Sequence, residues 1–373
     1  MAYLHSLSKR LVLRIAACVL VLSVISTVVF MARPNLRKRR IAISRPAVHY
    51  PPFHNPEHLH HPNPHFKAAY VTMTKGDAGS LANLRLTIRQ LEDTVNHQRH
   101  YPYIIFSNEA LSTEFKTLAR SLSSGDMAFY DQLDSSYYGY SPSTNKTKAA
   151  EARERMNGSV LFGESEDYRF ASRFMAGTIF RHPALQELDY YWRFETGTEY
   201  MCPLSFDPFQ YMYDHGKKLS FSIALYEYGD TIPTLFETIM GFAARHPDWV
   251  QSTASKNSIW PFVLDDKQAF NMCHFWSNFQ IADLSFFRSE AYQAYFDYLD
   301  NANGFFYERW GDPIVLSMAA VLFLEKDQVH FWDDIGYRVA GYFTHCPADY
   351  KQCSCRPHEN FDNDGYSCLA KFL

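Results

Sequence analysis

AAYVTMT (68–74) is followed by a segment in which Leu81, Leu84, Ile88, Leu91 and Val95 recur at helical spacing, and then by YPYIIFS (101–107). The two flanking stretches are short, apolar and rich in β-branched and aromatic side chains, so each predicts a buried strand. The middle segment places an apolar side chain every three or four positions and predicts a helix with one face on the core. Strand, helix, strand within about 40 residues is the signature of a parallel α/β unit. Neither strand is followed by G-x-G-x-x-G or by G-x-x-x-x-G-K-S/T. Ordinary dinucleotide redox chemistry and P-loop chemistry therefore lack their phosphate cradles.

Working outward, YYWRF (190–194) reads as another apolar strand and ends abruptly at Glu195-Thr196-Gly197. Residues 221–226 read as a strand, 286–299 as a helix and 315–324 as a buried helix. Residues 131–165 are polar and irregular and read as an excursion loop, and 346–368 as a Cys-rich irregular tail. No internal repeat is present.

The chain has 373 residues, 47% hydrophobic and 20% charged, enough for a large core and incompatible with global disorder. Charge is unevenly spread. Residues 1–45 hold nine Lys/Arg and no Asp/Glu, which leaves 27 basic against 40 acidic side chains in the remainder. A body that acidic is a poor nucleic-acid partner. Aromatics reach 16% and suit packed interiors or stacking sites for sugars or bases.

Residues 15–32 form an uncharged run, IAACVLVLSVISTVVFMA, which as a helix spans about 27 Å, close to the hydrocarbon thickness of a bilayer. No small-residue cleavage site closes it, and it reads as an uncleaved signal anchor. Residues 1–14 then form a cytoplasmic tail, 33–65 a Pro/His-rich stem and 66–373 the globular body. The basic residues after the span favour a cytoplasmic body by the positive-inside rule. The six Cys outside the span, an even number, and the sequons at Asn145 and Asn157 favour an oxidising lumen instead, and the body is read as lumenal. The six His between His49 and His65 read as solvated stem rather than as a metal cluster.

Glu195 is the first candidate for chemistry. A carboxylate at the carboxyl end of a buried strand points into the crevice where α/β sheets bind ligands. It could hold a divalent cation against a diphosphate, or be a plain solvated acid. The segment CHFWSNFQ (273–280) fits a sugar pocket and a satisfied core equally well. In GFFYERWGD (304–312) charged side chains sit inside an aromatic run, where burial requires partners; Glu308–Arg309 pairing is the bland alternative. In HFWDDIGY (330–337), Asp333 and Asp334 are caps, ligands or surface charges. The D-x-D at Asp362-Asn363-Asp364 has no hydrophobic strand before it and is a weak metal candidate.

The ordered segments YRFASRF (168–174), RHPALQELDYYWRFE (181–195), FDPFQYM (206–212), TIPTLFET (231–238), CHFWSNFQIADLSFFRSEAY (273–292), NGFFYERWGD (303–312) and WDDIGY (332–337) resemble the fungal Golgi α-1,2-mannosyltransferases of glycosyltransferase family 15. The similarity covers roughly residues 66–350. It implies an α/β, GT-A-like fold: a mixed central sheet with flanking helices, preceded by one transmembrane helix and a stem. It further implies a single-pass type II Golgi membrane protein with a lumenal catalytic domain, GDP-mannose as donor, Mn²⁺ as cofactor, glycoprotein mannoside acceptors elongated with retention, and association with other Golgi transferases.

By that resemblance Glu195 is the metal ligand, with Thr196 where the family has Pro. Arg193 and Tyr168 contact the donor, and Tyr168 and Asp312 position sugars. Gln280 stands where the family has a Glu proposed as nucleophile, and Val339 where it has a metal-binding His. An amide is no anionic nucleophile, and an isopropyl group has no lone pair for a metal. His330 or His345 could replace that ligand only along a different backbone path. Two outcomes are open. A front-side retaining transferase uses the departing phosphate as base, with Gln280 facing the anomeric carbon. A catalytically weak or silent homologue binds a glycan or a partner instead.

Overall fold

The computed structural model describes residues 48–373 apart from Ala340. The tail, the apolar run 15–32 and most of the stem lie outside these residues. Among the described residues no helix is long and apolar enough to cross a membrane.

The opening unit is β1 (Ala68–Met73), α1 (Ala78–Thr94) and β2 (Tyr103–Phe106), extended by α2 (Thr113–Arg120) and β3 (Met127–Tyr130). After α3 (Lys146–Met156) and α4 (Glu166–Ala176) come β4 (Tyr190–Phe194), β5 (Thr198–Tyr200), α5 (Pro208–Asp214), β6 (Leu219–Phe221) and β7 (Ala224–Tyr226). Then follow α6 (Leu235–Arg245), β8 (Cys273–Phe275), β9 (Phe279–Asp283), α7 (Glu290–Ala302), α8 (Asp312–Phe323), β10 (Val329–Phe331), β11 (Tyr337–Val339) and β12 (Thr344–His345).

Seven strands form one sheet in the order β10-β6-β9-β4-β1-β2-β3. Strands β4, β1, β2 and β3 are parallel, as the strand–helix–strand reading requires. The sheet is mixed because β9 runs antiparallel to both β4 and β6. Strand alternation divides the core. Tyr70, Tyr103 and Trp192 face the side on which the Leu84-Ile88-Leu91 stripe of α1 is buried, while Val71, Phe106 and Tyr191 face the side of α4, α7 and α8. Helix α1 starts where Asp77 caps the amides of Gly79 and Ser80.

Several expectations are corrected. Residues 131–165 are not all loop, because α3 lies within them. It buries little beyond Ala149 and Ala152, so it shows almost no apolar period. The strand read over 221–226 is two strands: the chain leaves the main sheet at Ser222, and β7 pairs with β8 instead. The helix read over 286–299 breaks at Ser289, whose side chain caps α7 through the Tyr292 amide.

The folded body also begins at about Tyr50 rather than Phe66. The Phe53 ring packs edge-on against Phe129 at 5.1 Å. The Asn55 amide grips the open edge of β3 at two points, donating to the Phe129 carbonyl (2.8 Å) and accepting from its N–H (2.9 Å). One side chain thus satisfies an edge that would otherwise present free ladder groups.

All six body cysteines are paired, as Cys202–Cys353, Cys273–Cys368 and Cys346–Cys355. The irregular tail is stapled to the sheet region. Closing a loop of this length, with partners 95 residues apart, stabilises a fold by about 4–5 kcal/mol in the chain-entropy account.

Candidate active-site cleft

A cleft of about 820 Å³ opens at the carboxyl ends of β1 and β4. Open α/β sheets place ligands there because strand ends and helix starts converge. Met73, Thr74 and Lys75 enter it from the end of β1, and Arg193, Glu195 and Thr198 from the end of β4 and the start of β5.

The turn that presents Glu195 follows from its sequence. Gly197 adopts φ +85°, a backbone conformation that disfavours side chains. The Thr198 hydroxyl donates to the Glu195 carbonyl (2.7 Å), and the Gly197 N–H donates to the Thr87 hydroxyl of α1 (3.0 Å). Glu195 keeps 34% of its side chain open to the cleft. Its Oε1 accepts from Arg193 Nη2 at 2.9 Å. Burial raises its pKa above the ordinary carboxylate value, an effect the Arg193 charge partly offsets.

Arg193 is buried and ties the floor together. Its Nη1 donates to Asp312 and to Ser277 Oγ (3.1 Å), and its Nη2 to Glu195. Burial alone would lower its pKa, but Asp312 and Glu195 outweigh burial and raise it, so it is a permanent cation. Asp312 opens α8, where the positive helix end favours an acid, and also accepts from Ser277 Oγ at 2.6 Å.

Tyr168 projects from α4 into the cleft. The Phe162 ring stacks on it at 4.9 Å, and the Arg309 guanidinium lies 4.9 Å from its ring centre. Burial raises the phenol pKa. Tyr168, Arg193, Glu195 and Asp312 therefore converge on one cleft. Gln280 does not. It is 2% exposed, accepts a hydrogen bond from the Tyr191 hydroxyl, and is absent from the cleft lining. In register it sits opposite Arg193 on β9, so its side chain is on the same sheet face as Arg193, buried against Tyr191.

The two substitute histidines are also corrected. His345 is sealed in the interior between Asp362 (2.8 Å) and the Asp333 carbonyl (3.2 Å), and His330 packs on Tyr211 and Trp332; neither lines the cleft. Asp362, of the D-x-D, serves as His345's partner. Val339 does line the cleft, on β11 in register with Thr198.

Several cleft residues escaped the sequence reading. Glu227 follows β7 directly and pairs with Arg309 at 3.3 Å, both being nearly buried. Glu308 instead accepts from Trp310 Nε1 (2.6 Å) and Thr234 Oγ1 (2.7 Å), so the adjacent Glu308–Arg309 pairing does not form. Lys75 and Asp167 pair across the mouth at 2.9 Å. His274 lines the wall with Nδ1 lacking a partner, and burial lowers its pKa. The one available signal was positional, since Glu227 closes a predicted strand just as Glu195 does.

The donor set tests whether a divalent cation fits. Glu195 offers one carboxylate oxygen free of Arg193, and Val339 offers nothing. Among the described residues, the one group of three His, Cys, Asp or Glu ligand atoms compact enough to hold an ion is Cys202, Cys353 and Cys355, all in disulfides. An all-oxygen site made of Glu195, a ligand's phosphate oxygens and water suits Mn²⁺ or Mg²⁺.

Residues 32–373 match the family described as glycolipid 2-alpha-mannosyltransferase. Glycolipid 2-alpha-mannosyltransferase 1 of Candida albicans is 40% identical over 317 residues, covering 83% of this chain and 72% of that one. The mannosyltransferase Ktr4p from S. cerevisiae, solved in complex with GDP, superposes with a TM-score of 0.77 at 29% identity, covering 86% of each chain. Core-mannan synthase A from Aspergillus fumigatus, solved in its Mn/GDP form, gives 0.74 at 31% identity, covering 83% of this chain and 87% of that one. The chain, with its charged cleft at the parallel strand ends, belongs to the glycolipid 2-alpha-mannosyltransferase family.

Proposed function

We propose that this chain transfers mannose from GDP-mannose to a hydroxyl of a mannoside acceptor, with retention at the anomeric carbon. The observation that carries the reading is Glu195 at the end of β4, open to the cleft and braced by a guanidinium shared with Asp312. Glu195 would hold Mn²⁺ together with the donor diphosphate. The bound cation supplies charge neutralisation for the leaving nucleotide. Arg193 fixes the Glu195 and Asp312 carboxylates, so their geometry is set before substrate arrives. Tyr168 and Asp312 then orient the sugars by hydrogen bonding. The departing phosphate oxygen takes the acceptor proton, so no enzymic nucleophile is required and Gln280 needs no part. Three disulfides support a body in an oxidising compartment. The exposed sequon residues Asn145 and Asn157 agree with that placement. We infer a Golgi membrane protein anchored through residues 15–32.

The test is mannose transfer by the full chain in detergent, with GDP-mannose, Mn²⁺ and methyl α-mannoside. Product above a Glu195→Ala control supports the reading, and its absence rejects it. Val339 in the cleft wall favours a second reading, a homologue that binds GDP without turnover. Mn²⁺ electron paramagnetic resonance separates the two contributions. Val339→His should tighten ion uptake in the absence of nucleotide by about tenfold or more. An unchanged signal would show that this position faces no ion.

A further inference from the structure

The cleft lining combines charged groups with a set of uncharged aromatic rings. The charges include Lys75, Arg193, Glu195, Arg309 and Asp312, and Glu227 stands between Tyr226 and Tyr228. The rings are those of Tyr226, Tyr228, Trp276, Tyr342, Phe343 and Tyr366. They form a connected series, an aromatic wall. Trp276 lies 5.5 Å from Phe343 and 6.4 Å from Tyr342, Phe343 stacks with Tyr366 at 6.3 Å, and Tyr366 lies 6.3 Å from Tyr228.

Two features separate this wall from ordinary core. Tyr228 and Tyr342 are 56% and 57% exposed, although both line the cleft. Among the described residues, four of the ten exposed large hydrophobic residues border the cleft, Leu161 and Phe162 being the others, so apolar exposure is concentrated at this opening. The wall is also held in place. Tyr366 belongs to the tail, which the Cys273–Cys368 disulfide and a Leu225–Ser367 bridge fasten beside β7. Rigid exposed rings lose little freedom when a ligand covers them.

A nucleoside diphosphate sets its phosphates against the charged groups and can cover a single ring with its base. A connected series of five rings leaves surface for a further ligand with no charge, apolar C–H faces and many hydroxyls. We propose that this wall is a platform for an extended mannoside acceptor, on which Tyr228, Tyr366 and Tyr342 carry the sugar units behind the one that reacts. The inference rests on the transferase reading and deepens it. A pyranose covers about one phenol ring, so a series of rings from Tyr228 to Tyr342 accommodates at least two consecutive sugars. The chain then discriminates acceptors by length rather than by the reacting sugar alone.

The experiment compares the full chain with Tyr228→Ala/Tyr342→Ala on mannotriose and on methyl α-mannoside, with GDP affinity measured by calorimetry. Wild type should favour mannotriose. The double variant should lose about tenfold in that preference, through KM rather than kcat, as expected for two aromatic contacts each worth about a factor of three. Tyr228→Phe/Tyr342→Phe should keep most of the preference, and GDP affinity should stay within about twofold in both variants. Equal losses on both acceptors, or none on either, overturn the platform. If wild type transfers nothing, the transferase reading fails separately. Mannotriose binding by ligand-observed NMR then decides the platform: binding abolished by the alanine pair upholds it, and no binding to wild type refutes it.

Discussion

Arg193→Met removes the cation on which the cleft floor depends. Arg193 is held among Asp312, Ser277 and Glu195, and the arginine and Asp312 side chains are 6% and 10% exposed. Removing one partner of a buried pair typically costs about 3–5 kcal/mol, because the other charge is stranded. Asp312 keeps the Ser277 hydroxyl and the start of α8, and Glu195 keeps access to the cleft, so the lower end applies, about 3 kcal/mol. At an unfolding entropy of about 2.1 cal/mol/K per residue, a body the size of Tyr50–Leu373 shifts by roughly 1.5 °C per kcal/mol, so melting should fall by about 4–5 °C. The assay is thermal unfolding followed by circular dichroism at a fixed scan rate. Adding Asp312→Asn to the Met variant removes the stranded charge and should recover about 1–2 kcal/mol, a non-additivity characteristic of contacting pairs. Arg193→Lys, which keeps the charge but not the fork, should fall between. A Met variant within about 1 °C of wild type, or a double variant that melts lower still, would show that Arg193 does not hold the floor together.

Acid should destabilise the body through two histidines. Burial lowers the pKa of His182 and of His330 to about 4 each, and His182 Nδ1 accepts the Ala184 N–H only when unprotonated. The unfolded chain takes up these protons near the ordinary histidine value and the folded chain does not, so stability is full above about pH 6.5 and declines toward pH 4. The loss is on the order of 2 kcal/mol per group after allowing for residual exposure; a melting temperature that is flat from pH 7 to 5 would count against it. Asn55→Ala strips both hydrogen bonds from Phe129 and should cost about 1–3 kcal/mol. It also opens the β3 edge, so size-exclusion chromatography should show self-association, and a purely monomeric, unweakened variant would remove the edge-guard role.

The parallel half of the sheet was legible because buried parallel strands are near-continuous apolar runs and α1 carries a clear stripe. What failed has physical causes. Helix α3 touches the core through two alanines, too small a footprint to create a period. The break at Ser222 depends on β8, some fifty residues later, and no local pattern announces a strand that changes partners. The stretch 50–65 lacks regular structure and reads as linker by composition. It attaches through single side chains such as Asn55, a kind of bond that composition does not reveal.

At the cleft, the strand-end rule found Glu195 and applied equally to Glu227, but ion pairs such as Arg309–Glu227 join residues distant in sequence and surface only in three dimensions. The two departures from the family pattern looked equivalent in the sequence and are not equivalent in space. Gln280 is buried beside Arg193 and accepts a hydrogen bond from Tyr191. Val339 lines the cleft, paired in register with Thr198 of the Glu195 turn. If Glu195 holds the cation as proposed, its one oxygen free of Arg193 would leave the remaining coordination to the diphosphate and water, and nucleotide and metal binding would then be mutually dependent.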